Sequence, residues 1–151
     1  MNDAQKKDAV HEAISRLQTL TELFQRRRSQ LASAAGITEQ QWLVLEKISA
    51  DHFIPSLFAR ERDSSAAAVS KIIRQLVDKG LVDVGLNRED ARQREYSLTT
   101  QGKRLMTRLR SLRERAIDAI WMQLDLSELS GFCRFTDRLI EAIEGYEGKE
   151  E

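Results

Sequence analysis

The sequence predicts a mainly α chain with one small β-wing, and three observations carry that prediction. Apolar residues recur at helical spacing through most of the 151 residues, interrupted by one proline and seven glycines. Period-two alternation is strongest between Leu81 and Leu98, around a charged loop. Apolar stripes at both ends of the chain are longer than the middle of a protein this size can cover.

From Asp3 to about Leu31 the pattern predicts one long helix, with Val10, Ile14, Leu17, Leu20 or Thr21, and Phe24 on one stripe. Arg26-Arg27-Arg28 at its end could hold phosphate, although cations beside a negative helix C-terminus are the commoner reason for such a run. Gly36 punctuates the chain, and Thr38-Glu39-Gln40-Gln41 has the form of a capping box. A second helix should start there and run to about Ala50, with Trp42, Leu45 and Ile48 on its apolar face. His52-Phe53-Ile54 could form a short edge strand, and Pro55 suits the first turn of a third helix reaching Arg62. Asp63 or Ser64 is then a natural N-cap for a fourth helix.

In that fourth helix Val69, Ile72, Ile73 and Leu76 make the buried stripe, leaving Ala67, Ser70, Lys71 and Arg74 on the opposite face. Small residues at the start of this face would let a backbone approach base edges, and long donors behind them would reach those edges. Gly80 ends the helix. Val82, Val84 and Leu86, then Tyr96 and Leu98, alternate as a two-stranded ribbon whose tip carries Arg88, Asp90, Arg92 and Arg94. A helix beginning at Thr99 or Thr100 should run to about Leu124, with Leu105, Leu109, Leu112, Ala116 and Ile120 on one stripe. Asp125 or Ser127 caps a last helix, on which Leu129, Phe132, Phe135 or Thr136, Leu139, Ile143 and Tyr146 are spaced as an apolar face. Elements in this order make a winged helix-turn-helix, flanked by N- and C-terminal helices that would bury their stripes against a second copy in a two-fold dimer. The expected parts are a dimerisation helix over 1–34, the DNA-binding domain over 37–102, dimerisation helices over 103–147 and a disordered tail over 148–151.

Net charge is zero, but it is unevenly distributed. Residues 1–59 balance at 7 basic and 7 acidic side chains, 60–115 carry 14 and 8, and 116–151 carry 3 and 9. The positive segment contains the fourth helix and the ribbon, a recognised pointer to nucleic acid.

Lys79-Gly80-Leu81-Val82, Glu89-Asp90-Ala91-Arg92 and Leu98-Thr99-Thr100-Gln101-Gly102 resemble, in order and spacing, the K-G-L-V, D-x-R and L-T-x-x-G signatures of the multiple-antibiotic-resistance regulator (MarR) family. The resemblance implies a homodimeric transcriptional regulator, most often a repressor, on a pseudo-palindromic operator. It implies dimers built from the terminal helices, and DNA release when a small aromatic or anionic effector enters the crevice between dimerisation and DNA-binding parts. It makes Arg92 the wing arginine of the minor groove and Asp90 the carboxylate that holds it. Expected DNA contacts are therefore Ser64, Ala67, Ser70, Lys71, Arg74, Arg88, Asp90, Arg92 and Arg94. The chain departs from the family in lacking a basic residue at the start of the wing, where Asp83-Val84-Gly85 stands, and in opening the fourth helix with Ala66-Ala67-Ala68. The effector-lining candidates are His11, Arg16 and Trp42, each of which also suits ordinary surface or core.

Enzyme readings find no constellation: there is no G-x-S-x-G, no H-E-x-x-H and no Gly-rich phosphate loop, and His11 and His52 stand apart from other metal ligands. No catalytic residue, metal or cofactor is expected. Cys133, between Phe132 and Phe135, reads as a buried, inert thiol rather than a redox sensor. One cysteine, no membrane-length apolar run and no signal peptide point to the cytoplasm. The alternative function is a winged-helix protein-interaction module that has lost DNA binding.

Overall fold

The computed structural model describes residues 2–50 and 53–147. The chain packs as two compact units, Met1–Leu109 and Arg110–Glu151. In order the elements are α1 (Asp3–Ala34), α2 (Glu39–Ser49), α3 (Pro55–Glu61), α4 (Ala66–Asp78), β1 (Val82–Leu86), β2 (Arg94–Leu98), α5 (Thr100–Ile120) and α6 (Leu126–Glu147), with a 3-10 turn at Trp121–Gln123. Mainly helical, with one two-stranded wing, this is a winged helix-turn-helix.

Chain direction changes where local chemistry terminates a helix. After α1, Gly36 takes φ +74, and its N–H and that of Ile37 reach back to Ser33 and Ala32 carbonyls, a Schellman closure. The capping box at α2 is complete: Thr38 Oγ1 accepts from the Gln41 N–H at 3.1 Å, and Gln41 Oε1 from the Thr38 N–H at 3.0 Å. Gln41 is buried, and its amide also donates to Gln75 Oε1 at 3.0 Å, which ties α2 to α4 through a satisfied polar pair.

The core of the first unit forms where α2, α4, β1 and the first turns of α5 bury Val44, Leu45, Val69, Leu76, Val82 and Leu109. At about 1.5–3 kcal/mol per buried aliphatic side chain, this cluster is what positions α4. As the sequence pattern requires, Val69, Ile73 and Leu76 are buried and Ile72 half-buried.

Three local expectations need correction. Asp63 and Ser64 do not cap α4: Asp63 has φ +47 and the Ser64 N–H donates to the Ala59 carbonyl at 2.8 Å, so both close the end of α3. Ser65 caps α4 instead, its hydroxyl accepting from the Ala68 N–H at 3.1 Å. No strand forms at Phe53 and Ile54, and His52 lies outside the described residues. Phe53 packs edge-on against Phe58 and Tyr96, with centroids 5.6 and 5.5 Å apart, and its ring contacts rather than a ladder join this segment to β2. Finally, α5 ends at Ile120 rather than Leu124, because the chain tightens into the 3-10 turn before Asp125. There the Asp125 N–H donates to the Glu128 carboxylate, so α6 starts at Leu126.

The terminal stripes are solvent-facing in the single chain. Val10, Ile14, Leu17, Leu20 and Phe24 of α1 are 44% to 55% exposed, and no residue of α6 is fully buried. Cys133 is exposed, contrary to the expected burial. Its neighbours Phe132 and Phe135 are themselves about half exposed, so among the described residues no layer covers it. The expected tail at 148–151 lies outside the described residues.

Candidate nucleic-acid interface

The outward face of α4 is set by its buried one. With Val69, Ile73 and Leu76 inward, Ala67, Ser70, Lys71 and Arg74 are all exposed, at the i, i+3, i+4 and i+7 spacing of a single face. Seven residues of helix rise about 10 Å, the length of a short run of base pairs. Ser64 is also exposed, in the turn that precedes the Ser65 cap. The structure thus brings Ala67, Ser70, Lys71 and Arg74 together on one face of α4, with Ser64 exposed in the turn before it.

The wing is an antiparallel ribbon in the register Val82↔Leu98, Val84↔Tyr96 and Leu86↔Arg94. Opposed residues share a face, so Arg94 projects beside Leu86, which is 67% exposed. Asp83 and Glu95, opposite Ser97 and Gly85, make the other face acidic. Arg88 and Arg92 stand exposed at the tip.

That tip is organised by two side chains acting on backbone. Asn87 Oδ1 accepts from the N–H groups of Glu89 and Asp90 at 2.8 and 3.3 Å, and Asp90 Oδ1 accepts from the Arg92 N–H at 3.0 Å. The Asn87 N–H to Gln93 carbonyl bond, 2.9 Å, closes the loop. Asp90 therefore shapes the turn that presents Arg92, holding it by its backbone N–H in an Asx turn. Asn87 was not among the expected site residues, although an asparagine where a strand becomes a loop is its usual signal.

The root of the wing is fastened to α4 and α5. The Gly80 N–H donates to the Val77 carbonyl and the Leu81 N–H to Leu76, with Gly80 at φ +69. The Thr99 hydroxyl donates to the Gly80 carbonyl at 2.6 Å and accepts from the Gly102 N–H at 3.0 Å, while the Thr99 N–H donates to the Leu81 carbonyl at 3.1 Å. A Cβ on Gly102 would run into that same carbonyl of Leu81. The two flanking signatures, K-G-L-V and L-T-x-x-G, are thus the two halves of one clasp.

His11, Arg16 and Trp42 do not converge within the chain. Arg16 pairs with Glu12 at 3.1 Å on an exposed turn of α1, and His11 is exposed beside it. Trp42 is only 3% exposed, because Arg28 lies over its ring at 4.3 Å and pairs with Glu46 at 3.2 Å. Twelve residues of helix separate Arg16 from Arg28, about 18 Å. Arg28 is thus neither a solvated helix end nor an open phosphate donor; it ties α1 to α2.

Among the described residues no group of three metal-ligating side chains forms, and no helix is long and apolar enough to cross a membrane.

Fold and exposed surfaces together define a winged helix-turn-helix. Residues 35–93 match the model of the MarR family. Three solved structures share the fold over most of both chains. A MarR family transcription regulator has TM-score 0.81 at 18% identity, covering 94% of this chain and 95% of that one. Staphylococcus aureus MarR in complex with salicylate and kanamycin has TM-score 0.75 at 16% identity, covering 94% and 97%. The S. aureus MepR–DNA complex has TM-score 0.66 at 18% identity, covering 84% and 93%. No curated protein matches the sequence. The chain thus resembles the MarR family in sequence over residues 35–93, and it shares the fold of these structures over nearly its whole length.

Proposed function

We propose that this chain is a homodimeric transcriptional regulator, acting as a repressor on a pseudo-palindromic operator and released by a small effector. The observation that carries the reading is the single exposed face of Ala67, Ser70, Lys71 and Arg74, with the exposed wing arginines Arg88, Arg92 and Arg94 in the same compact unit. In this reading residues 37–102 bind DNA, α4 in a major groove and the wing at the flanking minor groove, while residues 1–34 and 103–147 form the dimer. A DNA-bound MepR and a salicylate-bound MarR of the same fold support the two halves of the proposal. It includes no catalytic step and places the protein in the cytoplasm.

The exposed alanines that open α4 and the acidic ribbon face favour a second reading, a winged-helix protein-interaction module. Salt separates the two. The affinity of a DNA-binding protein for duplex falls linearly with salt on logarithmic axes, by close to one unit of slope per phosphate neutralised. Fluorescence anisotropy with duplex from the region upstream of its own gene should give a slope of about −4 or steeper. No measurable binding at about 50 mM salt would leave the interaction module as the reading.

A further inference from the structure

Residues 3–27 of α1 are all exposed, about 37 Å of helix. The helix is seated on the rest of its unit by its last turns, where Arg28, Leu31, Ala32 and the capping Ala35 fall at i, i+3, i+4 and i+7 of one face. Leu31 and Ala32 are buried, and Arg28 is the member of this seat farthest from the turn. At the turn itself Gly36, with φ +74, offers its carbonyl to Lys79 Nζ at 2.9 Å, which pins the turn to the C-cap of α4. The helix is therefore a lever. Its fulcrum lies at Gly36, its outermost seat about 12 Å away at Arg28 and its far end about 50 Å away at Asp3, so play at Arg28 is magnified about fourfold.

Arg28 is placed to remove that play. Its guanidinium lies 4.3 Å from the ring centroid of Trp42, itself 3% exposed, while Nη2 reaches Glu46 Oε2 at 3.2 Å. Stacking fixes the planar cation in one direction and a charged hydrogen bond fixes it in another. The side chains of the ion pair are 30% and 31% exposed, which shields them from full screening by solvent. The surface that Arg28 grips continues to the reading helix, because the buried Gln41 of α2 donates to Gln75 Oε1 of α4 at 3.0 Å. The angle between α1 and α4 is thus held along two routes, one through α2 and one through Gly36 and Lys79.

We infer that Arg28 is a positioning residue: by fixing the angle at which α1 leaves the DNA-binding head, it sets the spacing between half-sites that a dimer of this chain accepts. The inference rests on the dimeric, DNA-binding reading above. A direct phosphate contact is the less favoured role, because the guanidinium is already committed to Trp42 and Glu46.

Two measurements on the full-length protein test it. The first is pulsed dipolar spectroscopy without DNA, with a spin label on Asp78→Cys in a Cys133→Ser background, Asp78 being exposed at the end of α4. The distance distribution between the two labelled helices should shift or broaden by about 5 Å or more in R28A, the throw of about 1–2 Å of play magnified about fourfold. The second is anisotropy on a half-site selected from random duplex by the parent, alone and in pairs whose centres lie about 8–13 base pairs apart. The parent should prefer one spacing by about tenfold or more and R28A by about threefold or less, with equal affinity for the isolated half-site. R28K should fall between them, since lysine keeps the charge beside Glu46 and loses the planar stack. Circular dichroism should show all variants folded. An unchanged label distance or an unchanged spacing preference in R28A overturns the inference. So does an equal loss of affinity at every spacing and at the isolated half-site, which would make Arg28 a stabiliser of the head alone. A flattened salt dependence with the spacing preference intact also overturns it, by making Arg28 a phosphate contact. A parent without dipolar coupling or without duplex binding fails the dimeric, DNA-binding reading and this inference together, whereas the R28A outcomes fail the inference alone.

Discussion

Arg74, Arg92 and Asp90 carry distinguishable predictions, because each acts through a different atom. Arg74 lies on the exposed face of α4, so Arg74→Ala should weaken operator binding and relax base preference, by about 1–3 kcal/mol for a bidentate contact. Arg92→Ala at the wing tip should weaken binding to many sequences alike, measured by anisotropy on operator and scrambled duplexes. Asp90 accepts the Arg92 backbone N–H, a task asparagine performs equally well. Asp90→Asn should therefore keep or improve DNA affinity by removing a negative charge from the wing, whereas Asp90→Ala should lower it. A carboxylate that gripped the guanidinium would make both variants weak. The exposure of these residues was legible in the sequence; the atom that Asp90 holds was not, since a D-x-R spacing permits an ion pair and an Asx turn alike.

Elements were legible where periodicity or capping chemistry is unambiguous, as in the stripe of α4 and the Thr38–Gln41 box. They were misread where two solutions compete for the same residues. Ser64 and Ser65 are equally good caps by composition, and only the positive φ at Asp63 assigns the first to α3. Phe53 and Ile54 suit a strand by propensity, but Phe53 is used as a ring contact to Tyr96. For the wing, Asn87→Ala should loosen the tip and lower DNA affinity while moving the thermal midpoint little, because the two bonds its side chain accepts are exposed. For the junction, Gly102→Ala should cost about 1–3 kcal/mol in urea denaturation, since the new methyl meets the Leu81 carbonyl and the backbone must move.

At the scale of the whole molecule, the proposed dimer would cover the exposed stripes of α1 and α6, and sedimentation at micromolar concentration should show a dimer mass. Removing residues 1–30 should leave aggregating protein, visible by light scattering, because complementary apolar surface would lose its cover. Cys133 offers a third readout: if the second copy supplies the missing layer, a thiol reagent should modify it faster under conditions that dissociate the dimer. The clasp has a mechanical consequence as well. An antiparallel ribbon whose two strands are both held at the root is loaded in tension one hydrogen bond at a time, starting from that root. The Thr99–Gly80 and Thr99–Leu81 bonds would thus bear the first force transmitted along the chain from either terminus. In a pulling experiment the yield force of the wing would be set by Thr99 and Gly102, and the arginine-bearing tip would remain slack until they gave way.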